Sequence, residues 1–425
     1  MKLKSYWLDT APPFSSAANG SPEGEADVAV VGAGFTGLSA ALALARKGAK
    51  VVVLEAGQVA SAASGRNGGH CNNGFAQDYY GLSTKLGVER ANALYRAFDA
   101  GVDKVEAIVT EEGIDCHFKR VGKLKLAAKP EHYDRLARSQ ALLAQQVDPD
   151  TRMVPRRELR TEIGSDAYYG GLIFEKSAGM HVGKFGQGLA EAAARRGALI
   201  FENCPLVGLR RLAGHAHEVR TPTSRFRARQ VLLATGTSAV GPLGWFRRRI
   251  VPVGAFLIAT EPLPVELLDR LTPRRRNTTD TRNFVNYFRT SPDNRLLFGG
   301  RARFAASNSA SDMKSGAILR KSMLRVFPEL ADARIDYCWG GMVDMTRDRL
   351  PRAGERNGVY YSMGYSGHGT QMSTLMGGIM AEVIDGRLDL NPLRDFDWPA
   401  IPGHFGLPWF LPLVGAYYRY RDLVS

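Results

Sequence analysis

Residues 27–55 read DVAVVGAGFTGLSAALALARKGAKVVVLE. Residues 27–31 are a short apolar run that stops at glycine, which has the length and flanks of a buried parallel strand. Gly32, Gly34 and Gly37 follow at G-x-G-x-x-G spacing. Residues 38–46 are rich in Ala and Leu and predict a helix that closes on Lys47 and Gly48. Residues 51–54 predict a second strand with Glu55 at its C-terminal end. In such a β–α–β unit the first glycine makes a tight turn, the second admits a pyrophosphate to the backbone, and the third lets helix and strand pack closely. The helix N-terminus faces the phosphates. Glu55, the acid about 20 residues on, would accept hydrogen bonds from the adenosine ribose hydroxyls. An acid there favours a nucleotide without a 2′-phosphate. A bare glycine match is weak evidence, but here both strands, the helix and the acid are all present.

The fingerprint alone does not separate NAD from FAD; three further features favour FAD. The first is the loop of residues 64–69, SGRNGG, which follows the second strand and which an NAD site does not require. The second is the lack of another GxGxxG for a nicotinamide domain. The third is Gly364 to Gly369 (GYSGHG), which puts small residues between a predicted strand at 359–363 and a predicted helix at 370–384. Such a turn brings backbone N–H groups to the pyrimidine side of a flavin. Strand-like runs at 230–235, 254–260, 283–289 and 296–301, a helix at 185–196, a polar hairpin at 218–227 and two helix-rich patches in 88–144 complete the pattern. Nucleotide-fold pieces recur at the start, middle and end of the chain. The expected class is therefore α/β: a Rossmann-type FAD-binding domain (24–84, 168–248, 336–392), a discontinuous mixed-sheet substrate domain (85–167, 249–335), and a C-terminal docking tail (393–425).

Composition narrows the class. The 425 residues are 44% apolar and carry a formal charge of +14. Basic clusters at Arg247–Arg249 and Arg274–Arg276 come with no nucleic-acid-binding motif, so they read as solvated surface and no nucleic-acid partner is expected. Cys71, Cys116, Cys204 and Cys338 are widely spaced with no C-x-x-C, which argues against a disulfide framework and a structural zinc. A reducing, cytoplasmic compartment fits best. No run approaches the ~20 apolar residues of a membrane span. The apolar stretch at 407–418 is short and broken by Pro408 and Pro412; a docking role fits better than membrane anchoring, with weak membrane-surface contact left open.

DVAVVGAGFTGLSAALALARKGAKVVVLEA, ASGRNGG, LLATG, WGGMVDMTRDRLPRAG and GYSGHGTQMSTLMGGIMAE together resemble the D-amino-acid-oxidase-like FAD-dependent oxidoreductases. SYWLDTAP, SGRNGG, NYFRTSPDNRLLFGGR and YYRYRDL are similar to the gamma-glutamylputrescine oxidase branch. The resemblance implies noncovalent FAD in an extended form, roofed by the sheet of the second domain. Gly32, Gly34 and Gly37, with Phe35 and Thr36 between, and Glu55 with Ala56 would hold the diphosphate and ribose. Ser64, Arg66, Asn67, Gly68 and Gly69 would line the diphosphate and ring, Val207 the adenine side, and Ala234 and Gly236 the middle. Gly367, His368, Gly369 and Thr370 would stand at the flavin's other end. Tyr287 falls where amino-acid oxidases place a substrate-contacting tyrosine, and His70, Tyr287 and His368 are the catalytic candidates.

The chain also departs from the pattern. Aligning Trp339-Gly340-Gly341-Met342 on the family's W-x-G-x-R-P puts Val343 in place of the arginine that clamps a substrate carboxylate. Arg301 or Arg347 is left as a replacement clamp. Gly183-Lys184 stands for His-Pro and His70 for glutamine, both expected near the substrate. Cys338 lies three residues before the position of covalent flavin attachment in some relatives. The implied reaction is hydride transfer from a small amine to flavin N5, giving an imine and then an aldehyde, with oxygen or another acceptor taking the electrons. The alternatives are an amino-acid or N-alkylglycine oxidase or dehydrogenase on the same fold, and a flavin-holding partner subunit without turnover.

Overall fold

The computed structural model describes residues 1–238, 240–300, 309–406 and 409–424. Arg301 lies outside the described residues. Two eight-stranded sheets organise the chain. In the first, Leu199–Phe201, Val51–Leu54, Glu25–Val31, Arg225–Leu233 and Val359–Met363 run parallel, in that spatial order. An all-parallel core sheet is covered on both faces and so needs continuous apolar strands; all four residues of Val51–Leu54 are buried. The polar hairpin expected at 218–227 is His217–Arg220 paired antiparallel with Arg225–Leu233, at the sheet edge.

Helices Phe35–Arg46, Val182–Arg195 and Gly369–Ile384 cover this sheet. The packing of Phe35–Arg46 on Gly369–Ile384 is very close: a Cβ on Gly377 would sit 2.3 Å from the Thr36 carbonyl oxygen. Ser39 Oγ donates to the Thr374 carbonyl at 2.6 Å across the same seam.

The second sheet runs in the order Ile335–Met345, Val251–Thr260, Leu296–Gly300, Asn286–Thr290, Asn277–Asp280, Lys123–Leu126, Gly170–Phe174, Thr151–Pro155. Its pairs are antiparallel except that joining Asn277–Asp280 to Lys123–Leu126. Side chains alternate across a strand. Leu124, Leu126, Phe256, Ile258, Phe288 and Phe298 thus point into one core, against Leu319 and Met323 of helix Ser309–Val326. Their neighbours on the other face look down on the first domain. Gly170–Phe174 and Ile335–Met345, grouped by sequence with the nucleotide-binding unit, hydrogen-bond in this second sheet.

The C-terminal segment packs Trp398 edge-on against Trp245, ring centroids 5.5 Å apart, and buries His404, whose Nε2 lies 2.8 Å from the Ile250 carbonyl. Phe405, Trp409 and Leu413 stay exposed. Among the described residues no helix is long and apolar enough to cross a membrane.

Candidate active site

A continuous cavity of about 860 Å³ runs between the two sheets. Its floor is the turn after Glu25–Val31. Gly32 has φ +102°, and a Cβ there would lie 2.6 Å from the Ala234 carbonyl oxygen. A Cβ on Gly37 would lie 1.9 Å from the Gly32 carbonyl oxygen, so only glycine lets the helix start this close to the strand. Glu55 closes one end. Its carboxylate accepts from Ala33 N and Gly57 N, both at 2.8 Å, and each oxygen keeps a lone pair for a ribose hydroxyl.

The SGRNGG loop forms the wall beyond the floor. Ser64 Oγ accepts from Phe35 N at 3.1 Å, tying the loop to the first turn of the helix. Arg66 donates from Nε to the Ser61 carbonyl at 2.8 Å and from Nη1 to the Gly340 carbonyl at 3.2 Å, which joins the loop to the roof. Asn67 spends its side chain on the loop itself, accepting from Gly69 N at 2.9 Å and donating to the Ser64 carbonyl at 2.8 Å. Gly68 lies against the Tyr287 ring, with room for a Cβ only 3.0 Å from it. Gly69 faces the other way, at φ +73°, packed on Met180 and Arg289.

Most expected cofactor contacts converge: Gly32, Gly34, Phe35, Thr36, Glu55, Ala56, Ser64, Arg66, Asn67, Gly68, Ala234, Gly236, Gly367, His368, Gly369 and Thr370 all line the cavity. Gly37 and Gly69 shape it from behind. Val207 is half exposed and bonded through its N–H to the Arg220 carbonyl at 2.8 Å; Leu206 lines the cavity in its stead. Of the branch departures, His70 lines the cavity; of its neighbours, Asn72 does too and the buried Cys71 points into the core. Gly183-Lys184 does not reach it: a Cβ on Gly183 would lie 2.1 Å from the Trp7 carbonyl oxygen, under the N-terminal helix Tyr6–Thr10. Arg347 is exposed, whereas Arg349 lines the cavity. Cys338 turns its Sγ toward the Asp312 carbonyl, at 3.1 Å, on the far face of the roof.

Tyr287, His70 and His368 share the inner end of the cavity. A Cβ on Gly299 would lie 2.4 Å from the Tyr287 ring, so this glycine makes room for it; the ring meets the His70 imidazole edge-on, centroids 5.7 Å apart. Burial, aided by the charges of Arg289 and Lys123, pushes the His70 imidazole down to about 3. His368 is pushed down to about 3 by burial and by Lys123, Lys125 and Arg349. His70 Nε2, His368 Nδ1 and Thr235 Oγ1 are buried without a hydrogen-bond partner among the described residues. Buried polar atoms are seldom left so; polar groups of a bound ligand would satisfy them.

Three groups escaped the reading of the sequence. Lys123 donates from Nζ to the Asn73 carbonyl at 2.7 Å and lies 3.8 Å from the centroid of the Phe174 ring; burial pushes its ammonium down to about 7. Lys125 stands two residues on, facing the same cavity, with its ammonium also lowered by burial. Asp344 accepts from Gly364 N at 2.6 Å, and burial raises its carboxyl to about 6 against the pull of the backbone N–H groups of Gly364, Tyr365 and Ser366. The signal for the lysines is the alternation K-L-K-L at 123–126, which reads as a strand with one wet face; that face is the cavity wall.

A dinucleotide floor, an acid for the ribose, a second glycine loop and a β-sheet roof define a flavin-dependent oxidoreductase. The chain belongs to the FAD dependent oxidoreductase family (DAO), whose model matches residues 27–383. It is 35% identical to the "Probable oxidoreductase OrdL" of Haemophilus influenzae, over 99% of this chain and 97% of that protein. It is 29% identical to the "Gamma-glutamylputrescine oxidoreductase" of Escherichia coli, over 98% of each. The crystal structure of glycine oxidase from Geobacillus kaustophilus superposes with a TM-score of 0.70 at 23% identity, covering 88% of this chain and 97% of that one, and so shares the fold. FAD is the cofactor, and no cysteine among the described residues lines the cavity to bind it covalently.

Proposed function

We propose that the protein oxidises the C–N bond of a small substituted amine of the gamma-glutamylputrescine kind, giving an imine that water hydrolyses to an aldehyde. The observation that carries this reading is Val343. It lines the cavity at the position where the amino-acid oxidases of the family have their clamping arginine. A carboxylate next to the reacting carbon therefore finds no bidentate partner there. The near full-length similarity to gamma-glutamylputrescine oxidoreductase supports the same substrate class.

When bound, FAD supplies the two-electron acceptor for the hydride of the amine's α C–H bond, with oxygen rather than a carrier protein as the favoured final acceptor. The residues of the chain orient the amine and handle its proton. Tyr287 and His70 wall the inner end and keep water off the reacting carbon. An amine arrives as an ammonium and must lose a proton before it reacts. His70, held neutral by its burial, offers Nε2 as a hydrogen-bond acceptor for that N–H. Lys123, with its ammonium near 7, is the wall group best matched to accept and release a proton at neutral pH.

The test is anaerobic stopped-flow bleaching of the purified yellow protein against gamma-glutamyl amines, diamines, sarcosine and D-amino acids. Fast bleaching by substituted amines and slow bleaching by α-amino acids is expected. Bleaching by none of them, with the flavin spectrum intact, sinks the amine reading in favour of a flavin-holding subunit. A His70→Ala variant whose flavin-reduction pH profile matches the parent removes His70 from the proton step.

A further inference from the structure

The cavity between the sheets carries more positive charge than the proposed chemistry uses, and its cationic part is termed the chamber. Lys123 is tied to the Asn73 carbonyl, and Arg282 is paired with Asp280 at 2.5 Å. Lys125, Arg135 and Arg349 also line the chamber, and their side chains have no ion pair or hydrogen bond among the described residues. Asp78 is the carboxylate whose charge reaches Lys125; it caps helix Tyr79–Leu86 by accepting from Gly81 N at 2.8 Å and makes no ion pair among the described residues. Arg349 is held at φ +58°, a region seldom adopted outside glycine, in the turn after the roof strand Ile335–Met345. Lys125 and Arg349 are partly withdrawn from water, while Arg135 is exposed at the rim; a partly buried cation without a counter-charge is costly and marks a candidate site for an anion.

The register of the roof fixes how far this charge lies from the reacting centre. Tyr287 is opposite Thr279, and Thr279 is opposite Lys125. The three residues form one row on the chamber face. With neighbouring strands about 4.8 Å apart, Lys125 stands roughly 10 Å along the roof from Tyr287. A chain that covers about 3.3–3.6 Å per three backbone bonds spans that distance in roughly eight to nine bonds.

We infer that the Lys125 end of the chamber binds a carboxylate carried by the substrate amine, remote from the reacting nitrogen. The inference rests on the amine-oxidation reading for the identity of the substrate, and on the unpaired cations for the site itself. A cationic far end would let a chamber that lacks the clamp at Val343 take an acidic substrate. The carboxylate sits at the far end, so the reacting carbon bears none. A free diamine, cationic at both ends, meets repulsion there.

Two measurements test this. The first compares anaerobic flavin reduction by ω-amino carboxylates of four to ten carbons with that by n-alkylamines of equal length. The expected result is at least a tenfold higher second-order rate for the amino carboxylates, greatest near eight carbons. In Lys125→Met that ratio falls toward one, and Lys125→Arg restores most of it. Equal rates for the two series, or a ratio unmoved by Lys125→Met and by Arg135→Gln, overturns the inference. The second measurement needs no turnover: calorimetric titration of the FAD-loaded enzyme with octanoate and with octan-1-ol. Octanoate is expected to bind at least tenfold more tightly, with the advantage lost in Lys125→Met. Equal binding overturns the subsite. Octanoate binding in a protein that no amine bleaches supports the subsite and removes the amine-oxidation reading instead.

Discussion

In the nucleotide sheet, strand Val51–Leu54 is buried on both faces, and the cavity meets only the strand ends and the turns beyond them. In the roof sheet, strand Lys123–Leu126 sends Leu124 and Leu126 into a core and turns Lys123 and Lys125 onto the cavity. The first sheet separates folding from chemistry along the chain: strand, then turn. The second separates them across its thickness, one face turned to a packed core and one to the cavity. The two arrangements fail differently when mutated.

The largest effect is expected at a turn of the first sheet. Gly37→Val places a Cβ within 1.9 Å of the Gly32 carbonyl oxygen and forces helix Phe35–Arg46 off its strand. The expected outcome is an insoluble protein, or one destabilised by about 4 kcal/mol or more, purifying without flavin. A yellow Gly37→Val protein of normal Tm would break the account of the floor. On the packing face of the roof, Leu124→Ala is expected to lower stability by about 2–5 kcal/mol in urea unfolding. Its flavin-to-protein absorbance ratio should be unchanged, because Leu124 faces away from the cavity. Loss of flavin from Leu124→Ala would mean that the two faces of the roof are not independent.

The same contrast explains what was legible in the sequence. Residues 27–55 declare the floor, because the glycines, strands and acid that shape it lie on one contiguous stretch of backbone. The turn at 364–369 was legible for the same reason, and its residues do line the cavity. The roof was not. Its strands come from residues 123–174 and 251–345, and no local pattern tells whether the polar face of K-L-K-L meets solvent or a chamber. Lys123, Lys125 and Arg349 were missed on that account. Gly183-Lys184 was misplaced for a different reason: a departure from the branch's His-Pro does not tell which side of the helix faces the cavity, and Gly183 packs under Trp7 instead.

A third prediction concerns charge on the chamber face. The Lys123 ammonium is pushed from its ordinary value near 10.5 down to about 7, chiefly by burial. Between these values the unfolded chain holds a proton that the folded chain has released, so folding stability rises with pH through this window. Below about pH 7 the folded protein carries the full penalty. Lys123→Met removes it, so the variant should gain stability relative to the parent at pH 6, and the gain should shrink as pH rises toward 10. The slope attributable to this one group is at most about 1.4 kcal/mol per pH unit. Parallel pH dependences of urea unfolding in the two proteins would show that Lys123 keeps its proton in the folded state, and would remove it from the proton step proposed above.

The smallest expected effect returns to the first sheet, at its adenine end. The side chain of Val207 is half exposed, and its N–H is committed to the Arg220 carbonyl at the start of the edge hairpin. Leu206, one residue earlier, is buried and lines the cavity. Because successive residues of an extended chain point to opposite sides, only one of the two side chains can meet the nucleotide. Val207→Ala should therefore leave the FAD dissociation constant within about twofold, whereas Leu206→Ala should weaken it by roughly tenfold, the equivalent of one lost apolar contact of about 1.4 kcal/mol. Fluorescence titration of the apoprotein with FAD reads both. The reverse order would place the adenine on the Val207 side of the hairpin, and would mean that the edge strand at Gly208–Arg211 shifts when the cofactor binds.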